Sequence, residues 1–277
     1  MVSSADATDF AVREPDMLAP DMLTGGGAQF AAFRLGVNTG AGAPLLIWGH
    51  GWGHTHAALR PLAEAMQAIA PSLLVDFPGF GASPVPPDAW GTADYADAVA
   101  QWLAAIPAGR RVWIGHSFGS RVGLRLAARH PDLVNGLFLI AAPGLQPRRP
   151  FPERARRKVR SLAYKAMRAL APEGPARDRL RERFGSRDYR QAGAMRPVFV
   201  KTVGEDLGPV AREVRCPTVF VYGERDSETP PDIGERFQQM IPRSELAVLR
   251  GLDHWTVLTE GRHQIAHRIG KFLETLA

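Results

Sequence analysis

The fold of this 277-residue chain is constrained most strongly by a serine that has a glycine two residues away on each side. The serine lies between an apolar run and a helical pattern. Residues 111–114 are typical of a buried strand, Gly-His-Ser-Phe-Gly follows at 115–119, and apolar residues then recur at helical spacing. Such a serine can occupy a strained strand-to-helix turn, because a Cβ at either glycine would collide with neighbouring backbone. We therefore predict that Ser117 is an exposed nucleophile; the alternative is a turn without a chemical role.

Strand and helix patterns alternate along most of the chain. Strands are predicted at 29–37, 45–48, 73–77, 111–114, 134–140, 218–222 and 246–249, and helices at 57–69, 93–105, 118–129, 231–240 and 259–276. Most of the strand runs are continuously apolar, as expected for strands covered on both faces. The pattern predicts an α/β fold with a doubly wound, mostly parallel sheet, whose ligands bind beyond the carboxyl ends of the strands.

Two segments break this alternation. Residues 1–28 are acidic, rich in small residues and interrupted by prolines and glycines, so we predict a poorly ordered leader rather than a secretory signal. Residues 144–208 carry many arginines and no strand pattern, and they are too long for an ordinary connection. We predict that 144–208 is a helical insertion, forming a cap or lid over a core made of 29–143 and 209–277.

Composition excludes several functional classes. No apolar run approaches the about 20 residues of a membrane-spanning helix. The single cysteine, Cys216, excludes an internal disulfide and is typical of a reducing compartment, so we predict a cytoplasmic protein. The net charge of +6 is concentrated between 148 and 190, without zinc-ligand spacing or a nucleic-acid-binding motif. We expect no metal, no cofactor and no nucleic-acid partner, with binding of a polyanion by the lid as a weaker alternative.

Two later strand ends carry the residues that a serine nucleophile needs, namely a histidine base and a carboxylate that orients it. Asp226 follows the strand at 218–222, and His254 follows the last strand. The order Ser117, Asp226, His254 is the one found in nucleophile-elbow hydrolases. Glu228 remains an alternative to Asp226, whereas Asp253 is disfavoured because adjacent residues at a strand end rarely point the same way.

Five sequence blocks resemble those of α/β-hydrolase-fold enzymes with a serine nucleophile. They are His-Gly-Trp-Gly at 50–53, Asp-Phe-Pro-Gly-Phe-Gly at 76–81, Gly-His-Ser-Phe-Gly at 115–119, Gly-Glu-Arg-Asp at 223–226 and Asp-His at 253–254. The resemblance covers the chain from about residue 29 onward and implies an eight-stranded core, one strand more than the seven predicted above.

An oxyanion forms when a serine attacks a carbonyl, and backbone N–H groups can stabilise it. One donor is expected to be the amide of Phe118, and the other an amide of the 50–53 loop. The resemblance implies that Trp52 is the second donor and that its indole lines the acyl pocket. We also assign His116 and Trp255 to the substrate pocket, with a packing role favoured over a catalytic one for His116.

The His-Gly-Trp-Gly block and the helical insertion resemble the pimeloyl-ACP methyl ester carboxylesterases. We therefore predict a hydrolase that cleaves a carboxylic ester or thioester through an acyl-enzyme, acting on a small-molecule ester or an acyl-carrier-linked one. The basic lid would attract an acidic carrier protein, unless its arginines only solvate exposed helices. Hydrolysis of a C–C bond and non-enzymatic binding of a small molecule remain open as alternatives.

Overall fold

Eight strands form one sheet in the order β1-β2-β4-β3-β5-β6-β7-β8. The computed structural model describes residues 19–36, 44–107, 109–146 and 187–276, together with the isolated residues 148, 159, 162, 164, 166 and 167. The strands are β1 (Asp21–Gly25), β2 (Ala28–Leu35), β3 (Leu45–Gly49), β4 (Ser72–Asp76), β5 (Arg111–His116), β6 (Gly136–Ile140), β7 (Thr218–Gly223) and β8 (Ser244–Leu249). Strand β2 pairs antiparallel with β1 and β4, and the other neighbouring strands are parallel.

Helices connect the parallel strands. They are α1 (Arg60–Met66), α2 (Thr92–Ala105), α3 (Phe118–Arg129), α4 (Arg187–Gln191), α5 (Arg196–Val203), α6 (Gly208–Ala211), α7 (Asp232–Met240), α8 (Thr256–Thr259) and α9 (Arg262–Thr275). Short 3-10 turns cover His56–Ala58, Pro131–Leu133 and Gly193–Met195.

Helices cover both faces of the sheet, so its inner strands are buried on both sides. Every residue of β3, β4, β6 and β7 is buried. Residues of α2, α3 and α7 belong to the apolar cluster on one face, and residues of α1 and α9 belong to the cluster on the other. The predicted doubly wound, mostly parallel sheet is confirmed.

The eighth strand is β1, which the sequence analysis placed inside the leader at 1–28. It pairs with β2 across a turn in which Gly26 and Gly27 have φ values of 60° and 77°, a region that favours glycine. The leader prediction is therefore corrected for its last residues, because the ordered core begins before residue 29. Residues 1–18, the rest of the predicted leader, lie outside the described residues.

Part of the predicted lid at 144–208 lies outside the described residues, but its C-terminal portion is helical. Helix α5 packs against the loop after β3, with the Phe199 and Trp52 rings 5.0 Å apart at an angle of 60°. Arg121 of α3 donates a hydrogen bond to the carbonyl of Thr202 at 3.0 Å, and Arg125 lies 3.4 Å from Glu205. These contacts attach α5 and the residues after it to the core beside the carboxyl ends of the strands.

Among the described residues, no helix is both long enough and apolar enough to cross a bilayer.

Candidate active site

Ser117 occupies a sharp turn between β5 and α3. Its φ of 47° is positive, a backbone conformation that is rare and strained for a residue with a side chain. A Cβ on Gly119 would lie 2.0 Å from the carbonyl oxygen of Gly49, and one on Gly115 would lie 2.6 Å from the backbone of Gly119. Both flanking glycines are thus required by close backbone approach, as the sequence predicts.

Asp226 and His254 form a buried pair at the same edge of the sheet. His254 Nδ1 lies 2.8 Å from Asp226 Oδ2, and both side chains are almost fully buried. Asp226 Oδ1 accepts hydrogen bonds from the backbone N–H groups of Glu228 and Thr229, at 2.9 and 2.8 Å. The carboxylate is therefore fixed on one side by backbone donors and presents its other oxygen to the imidazole.

Thr229, which was not predicted from the sequence, contacts both members of this pair. Its buried hydroxyl lies 2.7 Å from Asp226 Oδ2, 3.2 Å from His254 Nδ1 and 3.2 Å from the carbonyl of Ala141. The hydroxyl thus connects the carboxylate to the end of β6. An Asp followed three residues later by Thr is a pattern typical of side-chain-stabilised turns, and it could have indicated this contact.

Backbone hydrogen bonds hold the loops that carry Asp226 and His254 together. The N–H of Glu224 donates to Leu249 at 2.9 Å, and the N–H of Arg225 donates to Leu252 at 2.8 Å. A Cβ on Gly223 would lie 2.4 Å from the carbonyl oxygen of Leu252. The two loops can approach this closely because β7 ends on a glycine.

The Ser117 elbow and His254 are linked through His116. His116 Nε2 lies 3.2 Å from the carbonyl oxygen of His254, and the two rings are 5.0 Å apart. Within the described part of the chain the Ser117 hydroxyl makes no hydrogen bond. Catalytic hydrogen bonds are often long or absent in unliganded sites and form only when substrate binds.

Glu228 lies near Nε2 of His254, whereas Asp226 contacts Nδ1. Its Oε2 is 3.8 Å from His254 Nε2, and its side chain is 54% exposed. Asp226 therefore occupies the orienting position at Nδ1, for which Glu228 was the alternative. Asp253, disfavoured from the sequence, accepts hydrogen bonds from the N–H groups of Trp255 and Thr256 at the start of α8, and these bonds lower the pKa of its exposed carboxyl.

Two backbone amides lie beside the elbow without an acceptor. Among the described residues, neither the N–H of Trp52 nor that of Phe118 donates a hydrogen bond. The Trp52 loop is held against the elbow by the N–H of Gly119, which donates to the carbonyl of His50 at 3.0 Å. A Cβ on Gly51 would lie 3.5 Å from Ser117 Cβ. The two expected oxyanion donors are thus available on segments that contact each other.

His50 holds the Trp52 loop in place through hydrogen bonds at both of its ring nitrogens. Its Nε2 accepts the N–H of Phe77 at 3.0 Å, so its proton resides on Nδ1, which donates to the carbonyl of Gly51 at 2.7 Å. Complete burial lowers the pKa of His50 to about 4. His50 is therefore a neutral, fully engaged positioning residue between the β3 and β4 loops.

The predicted pocket residues are all aromatic and surround the elbow. The Trp52 ring packs edge-on against Phe80 at 4.9 Å and Phe118 at 5.7 Å. Trp255 is 38% exposed, and its ring lies 5.0 Å from that of His254 and 5.3 Å from that of His116. His116 itself is buried, and burial with the nearby His254 lowers its pKa well below the usual range. The site is lined mainly by apolar and aromatic surface.

Among the described residues, no group of three or more His, Cys, Asp or Glu side chains is arranged to hold a metal ion.

Comparison with known proteins gives relatives of one fold. Residues 44–171 match the family model described as alpha/beta hydrolase fold. The chain is 28% identical to a pimeloyl-[acyl-carrier protein] methyl ester esterase of Chromobacterium violaceum, over 88% of this chain and 100% of that protein. It is 27% identical to a 2-hydroxymuconate semialdehyde hydrolase of a Pseudomonas strain, over 85% and 88% of the two chains.

A solved structure supports the same fold. A thermophilic esterase from Thermogutta terrifontis superimposes with a TM-score of 0.67 at 20% identity, covering 94% of this chain and 99% of that one. The chain has the α/β-hydrolase fold, and it is an enzyme of the hydrolase class, like the relatives it matches.

Proposed function

We propose that this enzyme is a serine hydrolase that cleaves a carboxylic ester or thioester through an acyl-enzyme intermediate. The observation that carries the proposal is the buried hydrogen bond of 2.8 Å between Asp226 and His254, at the sheet edge where Ser117 occupies a strained turn. A carboxylate-held imidazole and an elbow serine are the components of acyl transfer to a hydroxyl nucleophile.

In the acylation step, Ser117 Oγ attacks the carbonyl carbon of the substrate while His254 Nε2 takes the hydroxyl proton. The carbonyl oxygen becomes an oxyanion, which accepts hydrogen bonds from the amides of Trp52 and Phe118. The tetrahedral intermediate then collapses, the bond to the alcohol or thiol breaks, and His254 Nε2–H protonates the leaving group. Water, deprotonated by the same nitrogen, releases the acid and restores Ser117.

Asp226 orients the base and stabilises its charged form. Its Oδ2 accepts a hydrogen bond from Nδ1–H of His254. This hydrogen bond keeps the lone pair on Nε2 and stabilises the imidazolium during the reaction. Thr229 is a positioning residue for the same carboxylate.

The substrate is proposed to be a small ester, either free or linked to an acyl carrier. The similarity to a pimeloyl-[acyl-carrier protein] methyl ester esterase supports this proposal. So does the basic segment at 148–190, which we propose to be part of a lid that attracts an acidic carrier. The single cysteine supports a reducing compartment, which we propose to be the cytoplasm.

Hydrolysis of a C–C bond is a second candidate, because one relative is named a 2-hydroxymuconate semialdehyde hydrolase. The same serine, histidine and aspartate would serve either reaction, so a panel of esters and a vinylogous diketone acid distinguishes the two. Faster turnover of the diketone acid would favour C–C hydrolysis.

The replacement Ser117→Ala tests the proposed function directly. We expect p-nitrophenyl ester turnover to fall by roughly 10³-fold or more, because the nucleophile is lost while the fold is retained. A fluorophosphonate probe should label the wild type at Ser117, and the melting temperature serves as the control for folding. Retained turnover in the variant would refute the assignment, and absence of both labelling and turnover in the wild type would favour a non-enzymatic binding protein.

A further inference from the structure

A half-exposed carboxylate stands beside the nitrogen that is proposed to transfer the proton. Glu228 Oε2 lies 3.8 Å from His254 Nε2, and among the described residues this side chain has no hydrogen-bond donor. Its backbone is fixed, because its N–H donates to Asp226 Oδ1 at 2.9 Å. The main chain of Glu228 is therefore held at the site, and its carboxylate, half of whose surface is open to solvent, lies within reach of His254.

Proton transfer determines which part of a substrate meets Glu228. The leaving oxygen must come within hydrogen-bond distance of His254 Nε2 to receive its proton. A group 3.8 Å from that nitrogen is close enough to meet the alcohol portion of the ester. A charge two or three bonds beyond the leaving oxygen can approach within about 5 Å of the Glu228 carboxylate, where an exposed pair still interacts measurably.

The remaining described surface near His254 also suits a cation. Trp255 exposes part of its indole 5.0 Å from the His254 ring, and aromatic faces attract ammonium groups. The His54 ring packs against the same indole, with the ring centroids 4.3 Å apart. The described groups near His254 Nε2 thus combine aromatic surface with a carboxylate.

We propose that Glu228 determines leaving-group specificity, so that this enzyme prefers esters whose alcohol carries an ammonium group and rejects esters whose alcohol carries a carboxylate. This inference rests on the proposed function, since it uses His254 as the proton donor to the leaving group. It assigns a chemical class to the alcohol, which neither the fold nor the triad specifies.

The test compares three esters of one acyl group, chosen as the one hydrolysed fastest as a p-nitrophenyl ester. Their alcohols are choline, its neutral isostere 3,3-dimethylbutanol, and 4-hydroxybutanoate as the anion. Acid release in a pH-stat gives kcat/KM for each. The neutral ester reports any effect of Glu228 on His254 itself, so the ratio of choline ester to neutral ester isolates recognition of charge.

We expect the wild type to favour the choline ester over the neutral one by about tenfold at low salt, and to disfavour the anionic ester by a similar factor. Raising the salt from about 0.02 M to about 0.5 M should reduce both ratios, because the carboxylate is half exposed. In Glu228→Gln, both ratios should fall to within about twofold of one.

Glu224→Gln is the matched control. Glu224 belongs to the same loop but accepts the N–H of Gly251 at 2.9 Å, a bond that a glutamine oxygen can retain while the charge is lost. Its ratios should equal those of the wild type.

Two sets of results separate the possible failures. Ser117-dependent turnover with ratios near one in the wild type, or ratios unchanged by Glu228→Gln, would overturn this inference and leave the proposed function standing. Absence of turnover for every ester, together with absence of phosphonate labelling, would overturn the proposed function itself.

Discussion

Acidification from pH 7.5 to pH 4 is expected to destabilise the fold through buried histidines. His50 is completely buried, with Nε2 accepting the N–H of Phe77 and Nδ1–H donating to Gly51. A second proton would have to reside on Nε2, where it would face the Phe77 donor and break that bond. Burial accordingly lowers the pKa of His50 from 6.5 to about 4.

The magnitude and its sign follow from proton linkage. Between pH 6.5 and about 4, the unfolded chain binds a proton at His50 that the folded chain does not, so the free energy of unfolding falls as the pH falls. One such group contributes a slope of about 1.4 kcal/mol per pH unit and a total loss of about 3 kcal/mol. His116 acts in the same direction, because its pKa is also far below the usual range.

Carboxylates with a lowered pKa act in a different pH window. Hydrogen bonds from His56 lower the pKa of Asp76, and hydrogen bonds from Arg129 and His130 lower the pKa of Asp97. Their stabilising contribution is complete from about one pH unit above the ordinary carboxyl pKa of 3.8 and is lost progressively as the pH falls below that. The histidine contribution can therefore be measured separately above about pH 5.

Urea unfolding at half-unit intervals between pH 4 and pH 7.5 measures this slope. His50→Asn should reduce the slope by about 1.4 kcal/mol per pH unit, whatever its effect on absolute stability, because the titrating group is gone. Gly270→Ala, which removes no titratable group and has open space around the added methyl, should leave the slope unchanged. A flat wild-type profile between pH 4 and pH 6.5, or an equal slope in His50→Asn, would refute the reasoning.

Two further predictions concern the triad and the elbow. In Asp226→Asn, the backbone donors at Oδ1 force the new NH₂ toward His254 Nδ1, which selects the wrong imidazole tautomer. The kcat on a p-nitrophenyl ester should therefore fall by about 10³–10⁴-fold, with an unchanged melting temperature. A loss below tenfold would contradict this. Gly119→Ala would place Cβ 2.0 Å from the Gly49 oxygen and should lower the free energy of unfolding by at least about 3 kcal/mol. Gly270→Ala has open space around the new methyl and should raise the free energy of unfolding by about 0.5–1 kcal/mol. Equal unfolding midpoints in the two variants would contradict the steric argument.

Local patterns predicted the sheet and the elbow well because both are encoded in neighbouring residues. The helix predicted at 118–129 matches α3, and the seven predicted strands all correspond to strands of the sheet. The eighth, β1, was missed because Asp-Met-Leu-Thr-Gly is short, half polar and exposed along most of its length. Such a strand exists because β2 offers it a partner, and a partner cannot be read from a single segment.

The candidate site shows the same division. Ser117, Asp226 and His254 were identified from their positions at strand ends. The choice between Asp226 and Glu228 depended on side-chain direction at a turn, and the structure brings Asp226 to Nδ1 and Glu228 to Nε2. Thr229 was missed because its hydroxyl acts through contacts with Asp226 and with the end of β6, 88 residues earlier in the chain.

By itself, the sequence determined the fold class, the strained elbow and the three side chains proposed to react, because these depend on local periodicity, glycine sterics and chain order. Only the tertiary structure decided which acid contacts Nδ1 of His254, which amides lack acceptors and which carboxylate lies near Nε2. These properties depend on distances of a few ångströms between separate loops, and such distances are set by how the whole sheet brings its strand ends together.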